Sequence, residues 1–221
     1  MEAFKSAISE TNKKLTRTTQ HDFPSSLPMD LTQYFDEASE RTWTEPFTFI
    51  LTADTQFGLI EKHILKKANA RWDEEMALTR STIRCINRMR PKPKFIVVCG
   101  DMLDEQPGPN EEKIATREEQ YQDFIQVFQE LDPDIPLVCV CGNHDICDVP
   151  TEESYEIYRK QFGPDFYSFW VGGVKFVVIN SQYFKQPEAL PRMTRKQEEF
   201  ISTMADPRAK HLGRFKMNEI P

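Results

Sequence analysis

Two short polar runs have the composition of a site that binds cations and moves protons. Gly100-Asp101 and, further along the chain, Gly142-Asn143-His144 each follow an apolar segment directly, and Asp54 follows a third such segment. Carboxylate and amide oxygens suit divalent cations, and a nearby histidine suits proton transfer. Either glycine-containing run alone would be typical of a loop that follows a strand. The three positions together indicate one site.

The apolar segments before these positions predict buried strands at residues 43–53, 94–99 and 136–140. Apolar residues at near-helical spacing predict intervening helices over 73–89 and about 112–131, each followed by a proline. A strand-helix-strand order predicts parallel neighbours with right-handed crossovers. Open sheets of this kind place their chemistry at the carboxyl ends of the strands, which is where the three polar positions fall.

The remaining chain is predicted to support this sheet. A helix over 151–162 begins at Thr151, strands over 166–170 and 174–179 form a hairpin through Gly172-Gly173, and a last helix covers 194–204. Residues 1–42 are rich in polar and charged side chains, so they are expected to form a mobile leader whose last part packs on the domain. Residues 206–221 are expected to be a divergent tail.

Composition excludes several classes of partner. The 221 residues carry a net charge of −7, which argues against a nucleic-acid backbone or an anionic membrane, since both need a cationic face. No apolar stretch approaches the roughly 20 residues that cross a bilayer, and no secretory signal is visible. The five cysteines are interpreted as reduced intracellular thiols, so a cytoplasmic location is expected.

The motif order Asp…Gly-Asp-x-x-Asp…Gly-Asn-His-Asp resembles that of the calcineurin-like metallophosphoesterases. Within that family, the chain resembles the calcineurin-like phosphoesterase domain-containing type, a group of serine/threonine protein phosphatases. The segments that carry this closer resemblance are 53–60, 91–95, 168–174 and Asn180-Ser181-Gln182. The resemblance covers about residues 43–205. It implies an α/β fold, specifically an αββα metallophosphoesterase sandwich, and two-metal hydrolysis of a phosphomonoester in a protein or a small molecule.

The resemblance also implies roles for individual residues. Asp101 would bridge two divalent ions (Mn, Mg, Fe or Zn), Asp54 would bind one ion and Asn143 the other. His144 would protonate the leaving oxygen, and Asp104 would hydrogen-bond this histidine and keep it protonated. For Asp145 two readings stay open, a direct role or a cap on its loop.

Two departures from the family pattern qualify this reading. Gln56 stands where the family usually has a metal-binding histidine; its carbonyl oxygen is a weaker ligand for transition metals, which would favour Mg or Mn. The family's later metal-binding histidines are also unmatched, since His211 is the only histidine after Gln182. The sandwich is therefore expected to be incomplete at the C-terminus, with 43–205 as the N-terminal part of the domain. The alternative to a phosphatase is a catalytically inactive variant that acts, if at all, as a binding protein.

Overall fold

A computed structural model describes residue 35 and residues 37–205 of the chain. The helices are α1 (Glu37–Glu40), α2 (Asp73–Arg88), α3 (Glu111–Phe128), α4 (Asn143–Ile146), α5 (Glu152–Phe162), α6 (Gln182–Lys185) and α7 (Pro191–Ala205), with a π-helical turn at Ile60–Ile64. The strands are β1 (Ile50–Thr52), β2 (Ile96–Cys99), β3 (Leu137–Val140), β4 (Tyr167–Val171) and β5 (Val174–Val178). The predicted leader falls mostly, and the predicted tail and His211 wholly, outside the described residues.

The first three strands form one parallel sheet in the order β1-β2-β3. Leu51 pairs with Val97 and Val97 pairs with Val138, so all three strands run in register toward the same edge. The α/β class and the parallel order predicted from the sequence are confirmed. The three parallel strands are shorter than predicted, β1 most of all, since it begins at Ile50 and not at residue 43.

Helices α2, α3 and α5 cover one face of this sheet. Ile96 and Val98 of β2 point to this side, where they join a core that contains Ile83 of α2 and Phe124 of α3. Local signals place the helix ends: the Asn110 side chain accepts hydrogen bonds from the backbone N–H groups of residues 112 and 113 at the start of α3. Thr151 and Ser154 form a capping box at the start of α5.

The β4–β5 hairpin covers the opposite face of the sheet. Phe95, Val97 and Val138 pack there against a hairpin core to which Phe169 and Val178 contribute. The alternation of Ile96 and Val98 on one side with Phe95 and Val97 on the other follows from the two-residue period of a strand. The hairpin thus buries this face of the sheet.

The described part of the predicted leader is attached to this hairpin. Phe35 stacks on Phe169 with ring centroids 6.1 Å apart. The Glu40 carboxylate and backbone carbonyl accept hydrogen bonds from the N–H groups of Gly172 and Gly173 at 2.6 and 2.7 Å. Residues just before 43 therefore pack on the domain. Among residues 37–205, no helix is long and apolar enough to cross a membrane.

We expect Phe95→Ala to destabilise the protein by about 3–5 kcal/mol, the usual cost of deleting a buried aromatic ring. Phe95 is 0% exposed and its ring contacts the rings of Phe35, Phe169 and Phe176. Urea unfolding followed by tryptophan fluorescence would measure the loss. The matched control is Phe49→Ala, whose ring stacks on Phe95 but is 41% exposed; an equal loss in both variants would contradict the proposed core.

Candidate metal centre

The carboxyl ends of the three parallel strands bring the sequence-predicted site residues to one edge of the sheet. Asp54 follows β1, Asp101 follows β2, and Asn143 and His144 follow β3. The backbone N–H of Asp54 donates to the Gly100 carbonyl at 3.1 Å, and that of Gln56 donates to the Asp101 carbonyl at 2.9 Å. The loops after β1 and β2 are therefore joined directly.

Three of these residues have left-handed backbone conformations. The φ angles are +54° at Asp54, +35° at Gln56 and +50° at Asp101, in a region that non-glycine residues seldom occupy. Such conformations cost about 1–3 kcal/mol each and persist only where the surroundings enforce them. Gly100 makes the turn possible, because a Cβ atom on it would lie 2.9 Å from the Cα of Gly142.

Asp145 is the buried clamp that holds two of these loops together. Its carboxylate accepts hydrogen bonds from the backbone N–H groups of Asp101 at 2.8 Å, Met102 at 3.1 Å and Gly142 at 2.8 Å. Burial raises the pKa of Asp145 to about 6, while Arg117 and these N–H donors act in the opposite direction. The group is therefore mainly ionised at neutral pH. Of the two readings left open by the sequence, the geometry favours the positioning role.

Arg117 of α3 also holds these loops in place, through hydrogen bonds to their backbone carbonyls. Its guanidinium donates to the backbone carbonyls of Glu105 at 2.6 Å, His144 at 3.2 Å and Asp145 at 3.2 Å, and its Nε donates to the Gln161 side chain at 3.1 Å. Burial lowers the pKa of this guanidinium, and the nearby Asp145 carboxylate opposes that shift. One planar cation thus satisfies carbonyls from two different loops.

Hydrogen bonds orient the two candidate ligands nearest this clamp. The backbone N–H of His144 donates to the Asp101 Oδ1 at 2.9 Å, which fixes the rotamer of the carboxylate. The side-chain amide nitrogen of Asn143 donates to Asp148 at 3.3 Å. Because that contact occupies the nitrogen, the Asn143 carbonyl oxygen points away from Asp148 and is available to a ligand.

The His144 ring is held by the backbone of Asp104 and less by its carboxylate. Nδ1 lies 2.6 Å from the Asp104 carbonyl oxygen and 4.0 Å from the carboxylate Oδ1. A carbonyl can only accept, so Nδ1 carries a proton and Nε2 is left for other chemistry. The sequence-based expectation named the carboxylate as the partner; the closer contact is the main-chain oxygen of the same residue.

The Asp104 carboxylate serves a different set of partners. It is nearly buried and lies 3.2 Å from His63 Nε2, 3.5 Å from Lys62 Nζ and 3.5 Å from the Gln56 amide nitrogen. Sequence reasoning missed His63 and Lys62 because they lie in the π-helical turn after β1. No periodic pattern of apolar residues predicts that turn. Asp145 and Arg117 were underrated for a similar reason, since only the tertiary structure shows which loops they join.

The oxygen donors at this edge are compatible with divalent cations. Burial raises the pKa of the Asp54 carboxyl, the nearby Asp101 carboxylate raises it further, and His144 lowers it. Asp54 and Asp101 are thus close enough for their carboxylates to repel each other, and carboxylate oxygens are ligands that suit Mg²⁺ and Mn²⁺. Among the described residues, no group of three or more His, Cys, Asp or Glu side chains is arranged to hold a metal ion.

Comparison with known proteins identifies related sequences. The calcineurin-like phosphoesterase family model matches residues 47–204. The serine/threonine-protein phosphatase CPPED1 of Homo sapiens is 41% identical over 170 residues, which cover 76% of this chain and 52% of that protein. The corresponding protein of Mus musculus is 40% identical, with 76% and 53% covered, and that of Danio rerio is 38% identical over 168 residues, with 75% and 53% covered.

The chain spans about half the length of the curated relatives it matches. Among solved structures, a dimetal phosphatase from Danio rerio aligns with a TM-score of 0.32 at 25% identity, covering 45% of this chain and 30% of that one. The relatives carry phosphatase names, which does not favour the alternative of a non-catalytic binding protein.

We expect Asp145→Asn to lower the free energy of unfolding by about 2–4 kcal/mol. An amide cannot accept all three backbone N–H groups, and each buried donor left unsatisfied costs about 1–3 kcal/mol. Thermal and urea unfolding would measure the change. Asp148→Asn is the matched control, since Asp148 is exposed and bonded to the exposed Lys185; we expect it to stay within about 0.5 kcal/mol of the parent. Equal losses of stability in Asp145→Asn and Asp148→Asn would show that Asp145 does not hold the loops together.

Proposed function

The chain belongs to the calcineurin-like phosphoesterase family, and on that premise we propose that it is a metal-dependent phosphomonoester hydrolase. Phosphoserine and phosphothreonine in proteins are the proposed substrate class, as the phosphatase names of the relatives suggest. We assign residues 43–205 to the N-terminal part of the phosphoesterase domain, with 1–42 before it and 206–221 after it. The observation that carries the proposal is the joining of three strand ends: the buried Asp145 carboxylate holds the loops after β2 and β3 together, and main-chain hydrogen bonds join the loop after β1 to the loop after β2.

In this proposal the residues that hold the metal ions are oxygen donors from three loops. Asp101 would hold both divalent ions, Asp54 and Gln56 would hold one of them, and Asn143 would hold the other. When bound, such ions clamp the phosphate and lower the pKa of a coordinated water so that it can attack phosphorus. Manganese or magnesium fits this donor set best, because amide and carboxylate oxygens suit hard cations.

His144 is proposed as the proton donor to the leaving oxygen. Its Nδ1 is fixed on the Asp104 carbonyl, so Nε2 is the atom that would deliver the proton. The Asp104 carboxylate lies 4.0 Å from the same Nδ1. Lys62, about half exposed, adds positive charge beside this carboxylate and would attract a phosphate dianion.

A cytoplasmic location is part of the same proposal. All five cysteines lie in the described part of the chain and are free thiols, which is typical of a reducing compartment. The net charge of −7 supports a protein or small phosphomonoester as the partner and disfavours nucleic acid and membrane surfaces.

The first test is Mn²⁺-dependent hydrolysis of para-nitrophenyl phosphate by the purified chain and by Asp101→Asn. We expect the variant to lose at least about 100-fold in kcat/KM, because a lost bridging ligand should cost no less than the loss of a supporting residue around a metal. The control is Asp134→Asn, whose carboxylate is 76% exposed and bonded only to Lys92 in the described structure; we expect it to retain full activity.

A folded parent protein without metal-dependent activity would refute the proposed hydrolase and leave the inactive alternative. Activity that survives in Asp101→Asn would place the chemistry elsewhere in the chain. Folding of each variant would be checked by circular dichroism before the assay.

A second test separates proton donation by His144 from metal binding. We expect His144→Ala to reduce hydrolysis of a phosphoserine peptide by about 10²–10⁴-fold, the usual contribution of a general acid. The loss with para-nitrophenyl phosphate should be at least ten times smaller, since this phenolate leaves without protonation. Asp101→Asn should lower the rate of hydrolysis of both substrates by the same factor. Equal losses in His144→Ala would argue against the proton-donor role.

A further inference from the structure

Shortly after helix α4, an exposed carboxylate contacts one of the candidate metal ligands. Asp148 accepts a hydrogen bond from the side-chain amide nitrogen of Asn143 at 3.3 Å. Among residues 37–205, this is the one hydrogen bond that the Asn143 side chain makes. The direction in which the Asn143 amide points therefore depends on Asp148.

The Asn143 amide has two orientations that occupy nearly the same space. One leaves its carbonyl oxygen free to bind a cation; the other leaves its NH₂ group there, which can only donate a hydrogen bond and so cannot hold a metal ion. A carboxylate can only accept, so Asp148 attracts the nitrogen of Asn143 and repels its oxygen. The contact thus selects the orientation that can bind a metal.

Asp148 is itself held by a second element of the fold. Lys185 at the end of α6 donates to the same carboxylate oxygen, Oδ1, at 3.1 Å. Helix α6 is anchored in the core by Tyr183, which is 1% exposed. Because both Asp148 and Lys185 are more than half exposed, their ion pair contributes little to stability. Its main consequence is the fixed position of the carboxylate beside Asn143.

We propose that Asp148 is a positioning residue for metal binding, whose carboxylate keeps the carbonyl oxygen of Asn143 free to hold an ion. The inference rests on the proposed function, since it concerns the ion that Asn143 would hold there. A carboxylate that accepts a hydrogen bond from a metal ligand also raises the basicity of that ligand. Loss of Asp148 should therefore weaken the binding of this ion and spare the one that Asp54 and Gln56 would hold.

The test measures Mn²⁺ binding to the whole chain by electron paramagnetic resonance, which reports free Mn²⁺ and needs no enzyme activity. We expect the parent to bind two ions. In Asp148→Asn, we expect one Kd to rise by about 10–100-fold, the usual cost of losing a residue that supports a metal ligand, and the other Kd to stay unchanged. The introduced amide can donate as well as accept, so it no longer selects the nitrogen of Asn143.

Glu152→Gln is the matched control. The Glu152 side chain is about as exposed as that of Asp148 and is likewise paired with a cation, Arg192, at 3.2 Å. The variant removes the same charge from the start of α5, a few residues further along the chain, and leaves the contact with Asn143 intact. We expect it to bind Mn²⁺ as the parent does. Both variants should unfold at the parent's urea midpoint, which separates weaker metal binding from loss of the fold.

A second background separates orientation of the ligand from simple attraction between charges. In Asn143→Asp the ligand has no amide to orient, and Asp148 repels it. We expect Asp148→Asn to leave Mn²⁺ affinity unchanged or to raise it in that background, whereas simple attraction would weaken binding by the same factor in both. Measurement in 1 M NaCl makes the same distinction without that variant, because the screening length falls to about 3 Å while the hydrogen bond to Asn143 persists.

The outcomes that would overturn the inference are distinct from those that would overturn the proposed function. Mn²⁺ binding that Asp101→Asn abolishes and Asp148→Asn leaves intact would refute the role of Asp148 alone. Equal weakening in Asp148→Asn and Glu152→Gln, or loss of the effect in 1 M NaCl, would show only the attraction of a cation to negative charge. Absence of Mn²⁺ binding to the folded parent would refute the metal centre itself, and with it both proposals.

Discussion

A single buried carboxylate, that of Asp145, sets the geometry of the strand-end cluster. Loops that leave neighbouring parallel strands have no sheet hydrogen bonds beyond the last residue pair, so their N–H groups need other acceptors. Asp145 provides them for both the loop after β2 and the loop after β3. Since the same loops carry Asp101 and Asn143, any displacement of Asp145 would move the candidate ligands relative to each other.

Charge balance beneath the site depends on Arg117. An isolated buried carboxylate is strongly disfavoured in a low-dielectric interior, and burial does raise the pKa of Asp145. The guanidinium lowers that pKa and also satisfies the carbonyls of His144 and Asp145. The loop geometry and the ionised state of the clamp are therefore coupled, because one side chain supports both.

The strained backbone at Asp54, Gln56 and Asp101 fits the same picture. Left-handed residues are unfavourable in isolation, but the turn after β1 is tied to the turn after β2 by two main-chain hydrogen bonds. The covering layers keep these bonds in place: helices pack one face of the sheet and the aromatic-rich hairpin packs the other. The strain is concentrated at candidate ligands that follow the ends of β1 and β2.

The sequence alone determined the order of the elements and the edge at which the chemistry gathers. Apolar strands of Val, Ile and Leu that alternate with helices predict a parallel sheet, and β1, β2 and β3 do run parallel to one another. Helix starts at residues 111 and 152 were predicted to within about a residue, because Asn110 and Thr151 cap their own helices locally. The positions of Asp54, Asp101, Asn143 and His144 at strand ends follow from the chain order for the same reason.

Only the tertiary structure decided which groups those residues contact. His63 reaches Asp104 through a π-helical turn, and Glu75 reaches the N–H groups of Gly58 and Ile60 from another element; neither contact has a periodic signature. That the Asp104 carbonyl, and not its carboxylate, holds His144 depends on loop conformation. Local propensity and hydrophobic period act between near neighbours in the chain, whereas buried polar contacts join residues far apart, and so they are fixed only when the chain has folded.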